Sequence, residues 1–146
     1  MVECPKCHKI FDSGTGLATH IEWCGSSNQI ASHELSRRLA DWKTPVSDAI
    51  KRQLKAARSG CMVCGSLIRV RVHHSTRYNV VPPQEIFAVL CQRHNNVAWY
   101  LIWQKEARLV MEQFGATKVI SPLPSWAMST IYTEAEESRL SEVLQL

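Results

Sequence analysis

The clearest hydrophobic pattern in the chain lies in its second half. From residue 94 or 95 to Gly115, the run NNVAWYLIWQKEARLVMEQFG is apolar at helical spacing, and its first half is apolar nearly all round. This pattern predicts a long helix that is buried along its first half and ends at the glycine. Upstream, residues 67–74 (LIRVRVHH) alternate apolar and polar positions, which predicts a strand. Residues 84–90 are expected to form a short helix or turn.

Shorter segments with their own helix signals flank this part of the chain. Residues 25–32 (GSSNQIAS) are small and polar and are expected to form a linker. One helix is predicted from residue 32 or 33 to residue 42. A second is predicted from Thr44 and Pro45, an N-cap and a first-turn proline, to residue 58. After Gly115, residues 118–120 are predicted to form a short strand, and a capping-box pattern at Thr133 and Glu136 opens a final helix to residue 144.

A cysteine and histidine motif stands near the N-terminus. Residues 4–24 read CPKCHKIFDSGTGLATHIEWC, so a C-x2-C pair is followed by a histidine and a cysteine at helical spacing. Zinc prefers four thiolate or imidazole ligands in a tetrahedral array. The motif predicts a ββα zinc finger of the CCHC type, with Phe11 and Leu17 as its small core and with Cys4, Cys7, His20 and Cys24 as its ligands. The finger is expected either to aid DNA docking or to act as a structural or protein-contact module.

A second set of metal-ligand residues lies farther along the chain. The half-sites CMVC and LCQRH supply three cysteines and a histidine, so all six cysteines fall into two ligand sets and none is left over. We therefore expect a second structural zinc ion, bound by Cys61, Cys64, Cys91 and His94. His73 and His74 stand between the two half-sites, and Asn95 directly follows the last ligand.

Composition narrows the class of protein. The 146 residues suit one ordinary domain or two small zinc-stabilised modules, and 45% hydrophobic residues argue against disorder. The 17 Lys and Arg residues exceed the 13 Asp and Glu residues, which is compatible with a polyanionic partner. Cysteines accompanied by histidines at zinc spacing favour a reducing cytosol. No secretory signal is recognised and the longest apolar run, residues 97–103, is too short to span a bilayer, so we expect a soluble cytoplasmic protein without a membrane partner.

The ordered combination CMVC, VHHSTRY, Glu85 and LCQRHN resembles a known enzyme family. Over residues 58–105 the chain is similar to the HNH (ββα-metal) endonucleases in their zinc-stapled form, and particularly to the recombination endonuclease VII group. Two positions depart from the usual pattern. His94 stands where the family usually has a cysteine, and Asn95 stands where many members have a metal-binding histidine.

The resemblance implies a catalytic site beside the second zinc ion. His74 would be the general base. His73 and Asn95 would bind one catalytic divalent metal such as Mg²⁺ or Mn²⁺, and Asn79 would brace the loop. Since neighbouring side chains on a strand point to opposite faces, the two histidines are expected to share one site only if the strand end bends. The alternative is a pair of histidines near the zinc site that carry out no chemistry.

Basic side chains around this segment are candidates for phosphate contact. One group lies on a face of the helix predicted before residue 60, and that face is otherwise an ordinary solvated one. The other group lies within the HNH-like segment. The two groups are Lys51, Lys55 and Arg58, and Arg71, Arg77 and Arg93.

Together these patterns and the resemblance predict an α+β chain made of small zinc-stabilised modules. Residues 1–26 are expected to form the finger, and residues 27–59 a linker and a basic amphipathic helix. Residues 60–115 would form an HNH-like nuclease core with its ββα-metal element, and residues 116–146 a connector and a helix. The expected function is metal-dependent hydrolysis of DNA phosphodiester bonds, in a bacterial cell or a phage-infected host. Two alternatives stay open: a non-catalytic two-zinc nucleic-acid-binding or adaptor protein, and a component that contacts phage or bacterial proteins in a larger assembly.

Overall fold

A computed structural model describes residues 1–40, 46–57, 60–77 and 80–146 of the chain. Within these residues the fold is mixed α+β, with two small antiparallel sheets and six helices. The strands are β1 (Val2–Glu3), β2 (Ile10–Phe11), β3 (Val70–Arg77) and β4 (Gln84–Cys91); the helices are α1 (Gly14–Trp23), α2 (Ser27–Arg38), α3 (Asp48–Ala57), α4 (Gln92–Phe114), α5 (Ser125–Met128) and α6 (Glu134–Val143). The predictions made for residues 42, 44, 45, 58 and 79 lie outside the described residues. None of the described helices is long and apolar enough to cross a membrane.

The centre of the fold is a hairpin of β3 and β4 that lies against the long helix α4. The two strands pair antiparallel along their whole length. One face of the hairpin carries His73, whose ring contacts the ring of Trp99 on α4. The buried residues of β4 on this same face are Ile86, Ala88 and Leu90. The hairpin therefore packs on α4 through alternate, mostly apolar positions.

The hairpin differs from the predicted elements in two places. Residues 84–90 belong to strand β4, so the predicted helix or turn is wrong: pairing with β3 along the whole strand satisfies their backbone groups. Likewise, β3 begins three residues later than predicted. Arg69 has a left-handed φ of 51°, which an extended strand does not accommodate, so Leu67 and Ile68 lie in the preceding loop. Among the described residues no strand lies between α3 and β3, so β3 and β4 are the two strands that precede α4.

α2 packs along α4 and shares its core. The helix begins within the expected linker, because the Ser26 hydroxyl accepts a hydrogen bond from the backbone N–H of Gln29 at 3.2 Å and caps it. The mostly buried guanidinium of Arg38 donates to Glu106 Oε2 at 2.9 Å, which ties the two helices together. The core residues from this part of the chain are Ala31, Leu35 and Leu39. The expected linker is therefore largely a packed helix.

The segment after α4 is held by α2 rather than by a strand. Gly115 ends α4 with a φ of 63°, as the sequence predicts. The predicted strand at residues 118–120 is not formed. Instead, the backbone N–H groups of Lys118 and Ile120 donate to Asn28 Oδ1 and Ser32 Oγ, at 3.3 and 3.0 Å. Side-chain acceptors therefore replace a neighbouring strand as partners.

α6 begins at the predicted capping box. The side chains of Thr133 and Glu136 each accept a hydrogen bond from the other residue's backbone N–H. Leu140 and Leu144 are buried in the core cluster. The C-terminal helix is thereby docked on the core.

The N-terminal module consists of β1, β2 and α1. The ring centroid of Phe11 lies 4.7 Å from that of His20, and Phe11 and Leu17 are half-buried. α1 has no fully buried side chain. Because so little apolar surface is enclosed, we expect the module to depend on its cluster of metal-ligand residues.

Candidate metal centres

Two clusters of cysteine and histidine side chains form at the positions that the sequence spacing predicts. In each cluster, the four candidate ligand atoms all lie within 4.8 Å of one another. In the first, Cys4 and Cys7 come from the turn between β1 and β2, while His20 lies in α1 and Cys24 directly follows it. Cys7 Sγ and His20 Nε2 are 3.3 Å apart. This cluster thus closes the N-terminal module on itself.

The second cluster joins a turn, a strand end and a helix. Cys61 and Cys64 lie in the turn before β3, Cys91 ends β4, and His94 lies in the first turn of α4. His94 Nδ1 is 3.2 Å from Cys91 Sγ and 3.5 Å from Cys61 Sγ. The sulfur atoms of Cys64 and Cys91 are 3.9 Å apart. The long helix therefore begins at this centre.

These donor separations fit a tetrahedral zinc ion. With Zn–S bonds of about 2.3 Å and Zn–N bonds of about 2.0–2.1 Å, a tetrahedron places two sulfurs about 3.8 Å apart and a sulfur and a nitrogen about 3.5 Å apart. The separations of 3.9 Å between sulfurs and 3.2–3.5 Å between sulfur and nitrogen are close to these values. A ligand set of three thiolates and one imidazole also binds zinc in preference to hard cations such as Mg²⁺. Each cluster can hold one structural zinc ion.

Backbone hydrogen bonds lower the pKa of one cysteine in each cluster and so favour its thiolate form. Burial raises the pKa of the Cys61 thiol, but hydrogen bonds from three backbone N–H groups, led by that of Cys91, bring the pKa down to about 6. Hydrogen bonds led by the backbone N–H of Cys7 lower the pKa of Cys4 to about 6. Burial raises the pKa values of Cys24 and Cys91 to about 11. Zinc binding must therefore displace protons from these less acidic cysteines.

The turn of the second cluster requires glycine at its start. Gly60 has a φ of 86°, and a Cβ atom there would lie 2.6 Å from the backbone oxygen of Ser66 and 2.8 Å from that of Gly65. The Ser66 oxygen accepts a hydrogen bond from the Cys61 backbone N–H at 2.9 Å. The backbone oxygens of Gly65 and Ser66 therefore cannot move away from an added Cβ atom without disrupting the turn that carries Cys61 and Cys64.

We expect Gly60→Ala to lower the free energy of unfolding of the zinc-loaded protein by about 3 kcal/mol or more, because left-handed strain and steric overlap add up. Gly65→Ala is the matched control, since its φ is 73° and nothing lies within 4 Å of the added carbon. It should cost only the backbone strain, about 1–2 kcal/mol. Urea denaturation measures both values. Equal losses in the two variants would contradict the steric explanation.

The carboxylate of Glu136 on α6 contacts the His94 nitrogen that points away from the cysteines of the second cluster. His94 Nε2 lies 2.5 Å from Glu136 Oε2, while Nδ1 faces the thiols. The Arg93 guanidinium donates to both oxygens of Glu136, at 2.6 and 3.1 Å. Zinc-binding histidines commonly donate their second N–H to a carboxylate, which fixes the tautomer and the ring orientation. The local sequence pattern indicates only the capping role of Glu136, because nothing in it relates this residue to a histidine 42 positions away.

Replacing Glu136 by glutamine should weaken zinc binding at the second cluster by about 10–100-fold. Glutamine still serves in a capping box, so the substitution removes the negative charge with little effect on the start of α6. Competition with a chromophoric chelator measures the affinity, and the first cluster is the internal reference. Glu137→Gln, at the adjacent exposed position, is the control. If both variants bind zinc equally well, Glu136 has no role at the metal.

His73 and Asn95, the pair expected to bind a catalytic metal, lie together between β3 and α4. His73 Nδ1 is 3.0 Å from Asn95 Oδ1, and His73 Nε2 is 3.0 Å from Ser75 Oγ. The residue is 1% exposed, and its ring centroid lies 4.8 Å from that of Trp99. Burial lowers the pKa of His73 to about 4, so the ring is neutral near neutral pH.

His74 lies on the opposite face of β3. Its ring stacks on that of Phe87 with centroids 4.6 Å apart, and its Nε2 is 3.2 Å from Glu85 Oε1. Glu85 was expected in a short helix or turn, but it belongs to β4, where it pairs with Thr76 and lies diagonally across from His74 on the same face. A shared site required a bend at the strand end, yet His73 and His74 both lie inside the paired part of β3. The strand does not bend at these residues, so the side chains of the two histidines point to opposite faces of β3.

The basic residues predicted to contact phosphate lie in several different surroundings. Arg71 is exposed on β3, and Lys55 is exposed on α3. Lys51 and Arg77 are half-buried. Arg93 is held by Glu136 and also donates to the backbone oxygen of Ile131 at 2.8 Å. Arg58 and Asn79 lie outside the described residues. Contact of any of these side chains with phosphate remains a prediction.

Comparison with known proteins assigns no family to the chain. No protein-family model matches it, and neither a curated protein nor a solved structure matches it. The case for a function therefore depends on the two clusters and on the side chains arranged around them.

Proposed function

We propose that the protein is a metal-dependent endonuclease that hydrolyses phosphodiester bonds in DNA, of the HNH-like kind that residues 58–105 resemble. The observation that carries this proposal is the contact of 3.0 Å between His73 and Asn95, next to the zinc-cluster residue His94. Phosphodiester hydrolysis needs an activated water molecule and stabilisation of negative charge on the phosphate. Side chains beside the second cluster offer chemistry for both.

The His73–Asn95 pair suits a divalent cation in one tautomer of the imidazole. If the Nε2–H of His73 donates to Ser75, then His73 Nδ1 and Asn95 Oδ1 are two acceptors that face each other. Neighbouring ligands of an octahedral Mg²⁺ ion, with bonds of about 2.1 Å, lie about 3.0 Å apart. The two acceptors are 3.0 Å apart. A cation bound there would supply positive charge to the scissile phosphate and to the leaving oxygen.

His74 is the proposed general base. A carboxylate only accepts hydrogen bonds, so the His74 nitrogen that faces Glu85 carries the proton, and Nδ1 is the basic nitrogen that takes a proton from water. Because His73 and His74 lie on opposite faces of β3, this role requires β3 to unpair from β4 around His74 when DNA binds, so that the His74 ring can reach the His73 side. Before that change, Glu85 would act as a positioning residue that sets the tautomer of His74.

If His73 instead carries its proton on Nδ1, the arrangement favours a second, non-catalytic function. If Nδ1–H donates to Asn95 Oδ1, the Ser75 hydroxyl donates to Nε2, and both ring nitrogens are satisfied without a cation. The pair would then serve to join β3 to α4. The protein would be a non-catalytic, two-zinc nucleic-acid-binding or adaptor protein.

Plasmid cleavage distinguishes the two functions. Zinc-loaded protein is desalted so that tightly held zinc remains, and it is then incubated with supercoiled plasmid and Mg²⁺, Mn²⁺ or no added metal. The endonuclease should give nicked or linear plasmid only with added metal. A folded, zinc-replete protein that retards plasmid in a gel but leaves it intact with every metal would be a binding protein. The ¹⁵N chemical shifts of His73 identify the tautomer independently.

A further inference from the structure

We infer that the loop before β3 is a DNA wedge, in which Leu67 and Ile68 insert between base pairs while Arg69 contacts a neighbouring phosphate. The inference rests on the proposed function in taking duplex DNA as the ligand. It adds a contact that hydrolysis itself does not require, and it assigns a role to residues that neither zinc cluster uses.

The two aliphatic side chains of this loop are left in solvent. Leu67 is 78% exposed and Ile68 is 75% exposed. A single exposed aliphatic residue is ordinary, but two consecutive ones at a loop tip form a candidate contact surface. Leucine and isoleucine are among the side chains that proteins insert between base steps, where they unstack and kink the duplex.

The loop is fixed at both of its ends. At one end, the Cys61 backbone N–H donates to the Ser66 backbone oxygen at 2.9 Å, within the turn of the second cluster. The Ser66 hydroxyl in turn accepts a hydrogen bond from the backbone N–H of Ile68 at 3.2 Å. At the other end, Arg69 has a left-handed φ of 51° and Val70 begins the paired strand. A tip that is already ordered loses little entropy when it inserts into a ligand.

A groove beside the loop has the chemistry of a nucleic-acid contact. The side chains that line it include Arg69 and Arg93, the amides Gln92 and Asn96, and Ile68, and none of the described lining residues is acidic. Guanidinium groups suit phosphate oxygens, whereas side-chain amides suit sugars and base edges. Arg93 is partly neutralised by Glu136, so Arg69 is the main phosphate contact of this surface.

The groove leads toward the proposed active site. Asn96 lines the groove, and its neighbour Asn95 contacts His73. Arg71 is exposed and lies two residues before His73 on the same face of β3. A duplex seated in the groove would therefore extend past Arg71 toward Asn95, the half-buried member of the pair, since His73 itself is 1% exposed. The wedge would hold and bend the duplex close to the bond that is cut.

Duplex DNA fits this surface better than a lipid membrane does. Anionic headgroups would also be matched by the arginines, but membrane insertion draws on a broad apolar face, and this loop offers two aliphatic residues. The amide-lined groove beside the wedge has no counterpart in a lipid contact. We therefore commit to DNA and treat membrane binding as an outcome of the test.

The test uses the full, zinc-loaded chain and duplex oligonucleotides that carry 2-aminopurine, without added divalent metal so that binding is measured apart from cleavage. Wild type should raise 2-aminopurine fluorescence, which reports unstacking. Leu67→Ala/Ile68→Ala should abolish that rise and weaken binding roughly tenfold. Arg69→Gly keeps the left-handed backbone; it should weaken binding and reduce the slope of log affinity against log salt by about 1. Ile30→Ala/Ile120→Ala is the matched control, because these exposed side chains lie near the far end of α4.

Each outcome decides for or against the wedge. Wild-type affinity and fluorescence in the Leu67→Ala/Ile68→Ala variant would overturn it, and if that variant still cuts plasmid the proposed function survives alone. Binding to anionic vesicles but not to DNA would overturn both proposals. An equal loss in the Ile30→Ala/Ile120→Ala control would show a general effect of removing aliphatic side chains, and would also overturn the wedge. Zinc content and thermal unfolding confirm that every variant is folded.

Discussion

Replacing Cys91 by serine is expected to cost the protein one zinc ion and the cooperative unfolding of its core. Cys91 ends β4, is the N-cap residue of α4, and lies within 3.9 Å of the Cys64 sulfur. Zinc binding to structural sites is worth about 10–16 kcal/mol in zinc-finger peptides. This is comparable with the total stability of an ordinary domain, about 5–15 kcal/mol. Zinc stoichiometry by mass spectrometry and thermal unfolding by circular dichroism measure the two losses.

The matched control is Cys7→Ser in the first cluster. This variant should also lose one zinc ion, but it should keep the main unfolding transition. The reason is that the N-terminal module has little core of its own, whereas α2, α4 and α6 share a large buried cluster. If Cys7→Ser abolished the main transition as completely as Cys91→Ser, the two clusters would not be stabilising separate parts of the chain.

The largest effect on activity is expected from His74→Ala. A general base usually contributes about 10²–10⁴-fold to the rate, so plasmid nicking should fall by that factor. The ring is partly exposed and stacks on Phe87, so zinc content and stability should change little. Added imidazole should restore part of the nicking, because it can occupy the space of the missing ring. Glu85→Gln should cause a smaller loss, since Glu85 acts through the orientation of His74.

His33→Ala is the control for these measurements, because His33 is an exposed histidine on α2. It should nick plasmid at the wild-type rate. A folded and zinc-replete His74→Ala variant that does the same would remove His74 from the mechanism. Loss of nicking without rescue by imidazole, accompanied by loss of zinc, would indicate a structural role instead.

Both metal clusters were predictable from the sequence because ligand spacing is a local property. Cys61 and Cys64 form one chelating pair, and Cys91 and His94 form another, so each pair is visible without knowledge of the fold. The start of α6 and the end of α4 were predictable for the same reason. A capping box and a left-handed glycine each act within a few residues.

The remaining elements depend on contacts that are distant in sequence. Residues 84–90 are a short apolar run, and only pairing with β3 makes them a strand. The expected linker is a helix because Ala31 and Leu35 pack in the core shared with α4, and its Asn28 and Ser32 side chains hold the backbone beyond the end of α4. Glu136 reaches His94 across 42 positions. In each case the contacting residue is distant in the chain, so the local sequence pattern does not indicate it.

In the candidate active site, too, some features follow from the local sequence and others depend on distant contacts. The family resemblance implied that His73 and Asn95 are partners, and the two side chains do lie together. It left open whether the strand end bends to bring His74 to them, because that depends on where β3 begins and ends. Pairing of β3 with β4 over its whole length keeps both histidines in regular strand and separates their side chains.

The spacing of the ligands along the chain also bears on how the protein is built during synthesis. All four ligands of the first cluster lie within residues 4–24, so this module can fold soon after these residues leave the ribosome. The second cluster must wait for His94, and the carboxylate that orients His94 arrives only with α6. Long-range closures of this kind are the slow steps of folding. We expect the N-terminal module to form first and the docking of α6 to complete the second centre.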